Sequence, residues 1–168
     1  MNSIKSALIG LGGFAMLAMT SGMASAQVVA LGASNTEGKG VGESAAYPAQ
    51  LQAMLRTKGV NMRVSNAGIS GDTTEGMLGR LSSAVPQGTR VVIVQYGGND
   101  RRRGLSRAQH QANIAQIESR LRSRHIKVVH ADNYVWQAIR AGMTQFDRIH
   151  LTVEGHRQVA AKLLSSIR

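Results

Sequence analysis

The sequence contains no cysteine. That excludes disulfides, cysteine-based metal sites and a lipidated N-terminal cysteine. It is also short of acid, with 9 Asp and Glu against 20 Lys and Arg, for a net charge of +11. Such a balance favours acidic surfaces such as lipid head groups, cell-wall polymers or nucleic acid, although a soluble protein with solvated arginines has the same composition. No apolar run is long enough to span a bilayer: Ala7 to Met19 is apolar, but Thr20, Ser21 and Gly22 interrupt it. Neither an internal repeat, a low-complexity tract nor a linker divides the 168 residues, and the length predicts one domain. A phosphate loop is absent as well. Gly32 to Gly40 (GASNTEGKG) places five residues, not four, between Gly32 and Gly38, and Gly40 follows Lys39 where Ser or Thr is needed. The glycines at 32, 38, 40 and 42 do not form a dinucleotide fingerprint. Thr36 stands where a G-x-S-x-G nucleophile elbow requires its second glycine.

The first 26 residues read as a secretory signal peptide. Lys5 gives a positive start, Ala7 to Met19 the apolar segment, and Ala24-Ser25-Ala26 a small-residue cleavage site. Cleavage after Ala26 leaves a domain of residues 27–168 with no transmembrane span. Because Lys5 is the only charge removed, the mature net charge is +10. An exported chain without disulfides points to a bacterial periplasm or to secretion.

Hydrophobic periodicity predicts alternating strands and helices. Val28 to Leu31 forms a first strand, followed by a glycine-rich loop from Asn35 to Ser44. A helix follows over Ala45–Lys58, with Leu51, Met54 and Leu55 on one face and Gly59 as its stop. Val60 to Asn66 alternates as a second strand and leads into the loop Ala67–Thr73. Thr73 and Thr74 can cap a helix towards Ser83. Arg90 to Tyr96 (RVVIVQY) is the strongest strand, apolar enough to be covered on both faces. Gly97-Gly98-Asn99-Asp100 forms the next loop, and Ser106 caps a helix through Arg124. Ile126–His130 is a strand, Tyr134–Ala141 a short helix, Met143–Leu151 a loop, and Thr152 begins the last helix. The fold class is α/β, with a central parallel sheet and helices on both faces. In such sheets ligands bind beyond the carboxyl ends of the strands, where Ser34, Gly71 and Asn99 fall in three small-residue loops.

These positions carry a chemistry. A serine hydroxyl becomes a nucleophile when a base takes its proton, and that base is usually a histidine oriented by a carboxylate. Asp147-Arg148-Ile149-His150 offers such a pair, because a three-residue offset in a tight turn lets the carboxylate meet the imidazole. The Ser34 and Gly71 backbone N–H groups and the Asn99 amide are candidate oxyanion donors.

The chain resembles the SGNH/GDSL hydrolase superfamily, whose four blocks carry Ser, Gly, Asn and His. Gly32-Ala33-Ser34-Asn35, Asn66 to Asp72 (NAGISGD), Gly97-Gly98-Asn99-Asp100 and Asp147 to His150 match these blocks in order, across nearly all of the mature chain. NAGISGDTT and GGND are most similar to the bacterial periplasmic arylesterase, thioesterase and lysophospholipase branch. The resemblance implies a three-layer, flavodoxin-like sandwich, ester or thioester hydrolysis, and neither a metal nor an organic cofactor. It assigns Ser34 as nucleophile, His150 as base, Asp147 as its orienter, and Ser34, Gly71 and Asn99 as the oxyanion hole. Ala33 and Asn35 depart from the usual Gly-Asp-Ser-Leu block. The stretch between His130 and Asp147 is short, so the sheet is expected to hold four strands or a very short fifth.

The implied partner is a small-molecule, lipid or glycan ester such as a short acyl or aryl ester, a thioester or a lysophospholipid. A carbohydrate O-deacetylase is the alternative within the enzymes. A basic cell-wall or nucleic-acid-binding protein without catalysis is the alternative outside them, but such a module has no need of Ser34, Asn99, Asp147 and His150 together. No specific nucleic-acid partner and no oligomeric state are indicated. Arg101-Arg102-Arg103 is either a solvated charge run or an attractor of anionic substrates. His110, His125, His130 and His156 read as structural or surface residues. Tyr134 and Trp136 serve either as rim contacts or as packing.

Overall fold

The computed structural model describes residues 27–167. The expected signal peptide, residues 1–26, lies outside the described residues.

Four parallel strands form the central sheet: β1 (Val28–Gly32), β2 (Val64–Gly68), β3 (Val91–Gln95) and β4 (Lys127–His130), in the order β2-β1-β3-β4. Val28 is in register with both Val64 and Val91, so the two central strands end level with one another. Alternation along β1 sends Val28 and Ala30 to one face and Val29 and Leu31 to the other. The first face packs against α2 (Tyr47–Thr57), α7 (Asp132–Arg140) and α8 (Val153–Ile167) through Leu51, Val135 and Leu163. On the second face lie α3 (Thr74–Gly79), α4 (Leu81–Ala84) and α6 (Arg107–Ser123), through Met77, Leu81 and Ile117. Two short helical turns, α1 (Ser34–Glu37) and α5 (Asn99–Arg102), sit at the carboxyl edge of the sheet. The result is the expected three-layer α/β sandwich.

Several element boundaries differ from the sequence expectation, for local reasons. Ser34 opens a helical turn rather than a loop. Thr36 and Glu37 both donate their N–H to the Ala33 carbonyl, which closes that turn. The second strand begins at Val64, not Val60. Gln52 holds the preceding segment apart by donating to the Met62 carbonyl and accepting the Val64 N–H. The helix expected from Thr74 to Ser83 is interrupted at Arg80, which is drawn onto Asp72 at 2.8 Å and onto the Gly32 carbonyl at 3.2 Å. A fifth strand is not formed among the described residues. Between Thr144 and Leu151 there is one isolated antiparallel bridge.

Candidate active site

Ser34 follows directly from the end of β1. Two glycines make its turn possible. A Cβ on Gly32 would lie 2.1 Å from the Thr36 hydroxyl, and one on Gly68 would lie 2.1 Å from the Glu37 nitrogen. Both strands must therefore end in glycine for α1 to rest on them. Beneath the turn, Gln95 Oε1 accepts from Ala33 N–H and from the Thr36 hydroxyl, each at 3.4 Å. With its proton directed to Gln95, Thr36 accepts from the Tyr47 hydroxyl at 3.1 Å. Burial pushes the Tyr47 hydroxyl well above its ordinary range, so it stays protonated as that role requires.

His150 Nε2 lies 3.0 Å from Ser34 Oγ, and His150 Nδ1 lies 2.5 Å from Asp147 Oδ2. An ionised carboxylate only accepts, so Nδ1 carries the proton and Nε2 keeps the lone pair that faces the serine. The turn that joins the pair is fixed by Asp147 itself, whose Oδ1 accepts the N–H of Ile149 and of His150 at 2.9 Å each. Arg148 adopts a left-handed conformation, φ 58°, which curls the chain back over the carboxylate. The His150 N–H, then its imidazole, then the Ile149 N–H hold the Asp147 carboxyl far below the usual carboxylate range. His150 is buried while Asp147 is exposed, so solvent reaches the carboxylate side of the pair.

Gly71 lies in the loop after β2 and Asn99 opens α5 after β3, and the two segments are joined through Asp72, the neighbour of Gly71. Asn99 Nδ2 donates one N–H to the Asp72 carbonyl at 2.8 Å, which leaves its second N–H free. Gly71 has φ 79°, a conformation that favours glycine. Beside it stands the Arg103 guanidinium, 3.4 Å from where a Cβ would be. Asp100 is buried, and its carboxylate accepts from the Thr74 N–H, the Thr74 hydroxyl and His110 Nδ1, binding α3, α5 and α6 into one unit. Burial pushes the Asp100 carboxyl up, but those hydrogen bonds outweigh it and leave the group below its ordinary value.

Ser34, Asn35, Gln95, Asn99, Trp136 and Ile149 line a small cleft of about 70 Å³. Trp136 is on the rim and half exposed, whereas Tyr134 packs against the core. His156 is fully buried, with its ring stacked on Tyr47 and Nδ1 accepting the Tyr47 N–H at 3.2 Å. It takes no part in the cleft.

The amino-acid pattern left three supporting residues unassigned. Asn35, a departure from the usual block, donates from Nδ2 to the Ile149 carbonyl at 3.1 Å and accepts the Leu151 N–H at 2.9 Å. Gln95 holds the Ser34 turn. Asp132 accepts the N–H groups of Tyr96 and Gly97 at 2.9 and 3.0 Å and so pins the loop that carries Asn99. Two signals were available: a polar residue closing the apolar strand RVVIVQY, and an acid just past the fourth strand at the same sheet edge.

Residues 30–163 match the model of the GDSL-like Lipase/Acylhydrolase family. The chain belongs to that family. Among relatives, it is 35% identical over 124 residues to Esterase TesA of Pseudomonas aeruginosa, an alignment covering 73% of this chain and 62% of that protein. It is 40% identical over 88 residues to Thioesterase 1/protease 1/lysophospholipase L1 of Escherichia coli, covering 52% of this chain and 41% of the relative. The chain thus spans less than two thirds of the curated relatives it matches. A crystal structure of TesA superposes with a TM-score of 0.73 at 26% identity, over 84% of this chain and 97% of that one. The family match spans residues 30–163, and at the carboxyl edge of the sheet Ser34 and Asn99 line one cleft with His150 bonded to Ser34, whereas Gly71 is not among the residues lining it.

Proposed function

We propose that this chain is an exported serine hydrolase of carboxylic esters or thioesters that works through an acyl-enzyme intermediate. The observation that carries the reading is the continuous relay Ser34–His150–Asp147, at 3.0 and 2.5 Å, opening onto a cleft at the carboxyl edge of the sheet. Family membership and the relatives' printed activities support it.

In this reading His150 Nε2 takes the Ser34 proton as Oγ attacks the carbonyl carbon. Negative charge develops on the carbonyl oxygen, and the Ser34 N–H, the Gly71 N–H and Asn99 Nδ2 receive it. His150 then returns the proton to the departing alcohol or thiol as the bond to it breaks. Water then gives a proton to His150 as it attacks the acyl carbon, and His150 returns that proton to Ser34 Oγ as the acyl–Oγ bond breaks and the acid leaves. Asp147 holds the imidazole in the tautomer that can accept.

Substrates in this reading are short acyl or aryl esters, thioesters and lysophospholipids. The small volume at Ser34 suits a short acyl group and also supports a second reading, carbohydrate O-deacetylation. Export rests on residues 1–26 and is tested by N-terminal sequencing of the mature protein, expected to begin at Gln27.

A fluorophosphonate probe is expected to label the folded protein at Ser34 and not the Ser34→Ala variant. Failure to label Ser34 in folded protein removes the serine-hydrolase reading. A series of p-nitrophenyl esters of increasing chain length, run beside an acetylated glycan, separates esterase from deacetylase.

A further inference from the structure

A second and much larger pocket, about 570 Å³, adjoins the Ser34 cleft. The two share Gly97, Gly98, Arg102 and Trp136 as a common wall. Since the Ser34 cleft holds only about 70 Å³, any substrate group beyond a short acyl or alkoxy unit has to leave it, and the shared wall is a route out.

The larger pocket is lined by Arg101, Arg102 and Arg107. None of the three has an ion-pair partner among the described residues. Its one lining carboxylate, Asp100, is buried and bonded to Thr74 and His110 rather than to an arginine, so three guanidinium groups stand against one carboxylate and the wall stays net positive. The triple-arginine run is therefore divided by the fold. Arg101 and Arg102 face this pocket, Arg103 stands beside Gly71, and Arg107 joins from the next helix. The backbone that carries them is well held. Asn99 and Asp100 anchor α5, while the reciprocal Ser106–Gln109 capping box fixes the start of α6. Leu105 and Trp136 add an apolar wall. A guanidinium group binds phosphate or carboxylate oxygens in a two-pronged geometry that a lysine cannot offer.

We propose that this pocket binds an anionic group carried by the substrate, so that the preferred esters bear a phosphate or carboxylate on the arm that extends over Gly97 and Gly98. This rests on the ester-hydrolase reading of Ser34 and names the substrate class of that site.

The test uses two matched pairs of esters at low ionic strength. One pair is p-nitrophenyl butyrate and p-nitrophenyl hydrogen glutarate, with the charge on the acyl arm. The other is 1-butyrylglycerol and its 3-phosphate, with the charge on the alcohol arm. The expected result is a preference of about tenfold in kcat/KM, expressed in KM, for the anionic member of one pair, which also identifies the arm. An Arg101→Gln/Arg107→Gln variant should lose that preference and keep its activity on the neutral ester. Because the whole chain is basic, Arg56→Gln/Lys58→Gln at the end of α2 serves as the charge-matched control and should keep the preference. Equal treatment of both members of both pairs overturns the proposal while neutral-ester turnover leaves the Ser34 reading standing. Loss of preference in the control as well as in the pocket variant also overturns it, because general charge then explains the effect. If no ester turns over, calorimetry of 1-butyrylglycerol-3-phosphate on the Ser34→Ala variant decides the matter. Binding that Arg101→Gln/Arg107→Gln abolishes supports the pocket, and binding no tighter than that of 1-butyrylglycerol refutes it.

Discussion

Asn35 and Leu151 are 116 residues apart in sequence, and Asn35 Oδ1 accepts the Leu151 N–H at 2.9 Å. The same side chain donates to the Ile149 carbonyl at 3.1 Å. One amide thus grips the backbone on both sides of His150, and it belongs to the residue next to Ser34. Proposed nucleophile and base are held together by a clamp rather than by their own hydrogen bond alone. Asn35→Leu, which supplies the apolar residue usual in the family block, should lower kcat by about 10²-fold with KM little changed. Asn35→Asp keeps the acceptor and should fall in between. Circular dichroism confirms that both variants fold, and an unchanged kcat in Asn35→Leu would show that the spacing is held by other means.

Asp147→Asn should reduce kcat by about 10²–10⁴, because the amide cannot hold the imidazole in its accepting tautomer. The native Asp147 carboxyl lies below its ordinary value of 3.8. A depressed carboxylate binds fewer protons in the folded than in the unfolded chain, so its stabilisation is in place above pH 3.8 and is lost as pH falls through the lower native value. The difference in Tm between the protein and Asp147→Asn should accordingly hold steady from pH 7 to about 5 and shrink below pH 3.8. A difference that shrinks already at pH 6 would contradict the depressed value.

His156 makes the opposite kind of demand on pH. Burial, aided by His150, pushes it down from 6.5 to about 4. The unfolded chain therefore binds a proton that the folded one refuses, and stability is lost as pH falls from 6.5 towards 4, by up to about 3 kcal/mol. His156→Gln retains an acceptor for the Tyr47 N–H without the titration. Its Tm should decline less over that interval than the parent's. Parallel declines would assign the acid sensitivity to other groups.

Asn99 and Asp132 separate donation from support at the proposed oxyanion hole. Asn99→Ala should lower kcat by about 10²–10³ with KM nearly unchanged. Asp132→Ala leaves the Tyr96 and Gly97 N–H groups without their acceptor and should cost about 1–3 kcal/mol of stability. Its kcat should fall less than that of Asn99→Ala, since the donor remains and only its loop loosens. Chemical denaturation and steady-state kinetics on the same two variants check both statements.

What the sequence settled by itself was local or periodic. The alternation of apolar strands and amphipathic helices pointed to the parallel sandwich, because strands joined through helices pair in parallel and leave the helices to cover both faces. Four short blocks marked Ser34, Gly71, Asn99, Asp147 and His150 as candidates, since loops at the carboxyl edge of such a sheet converge. The Asp147–His150 turn could be read from a three-residue offset. Tertiary structure decided the rest. Asn35, Gln95 and Asp132 act across 35 to 116 residues, each through a pair of hydrogen bonds that no spacing rule reveals. The break at Arg80 coincides with its bonds to Asp72 and to the Gly32 carbonyl, directly after Gly79, so a tertiary contact falls where local propensity is already weak. Arg101, Arg102 and Arg103 read as one charge run along the chain. The turn of α5 and the approach of α6 sort them into a pocket wall and a neighbour of Gly71, because the direction of a side chain is fixed only when the backbone beneath it is packed.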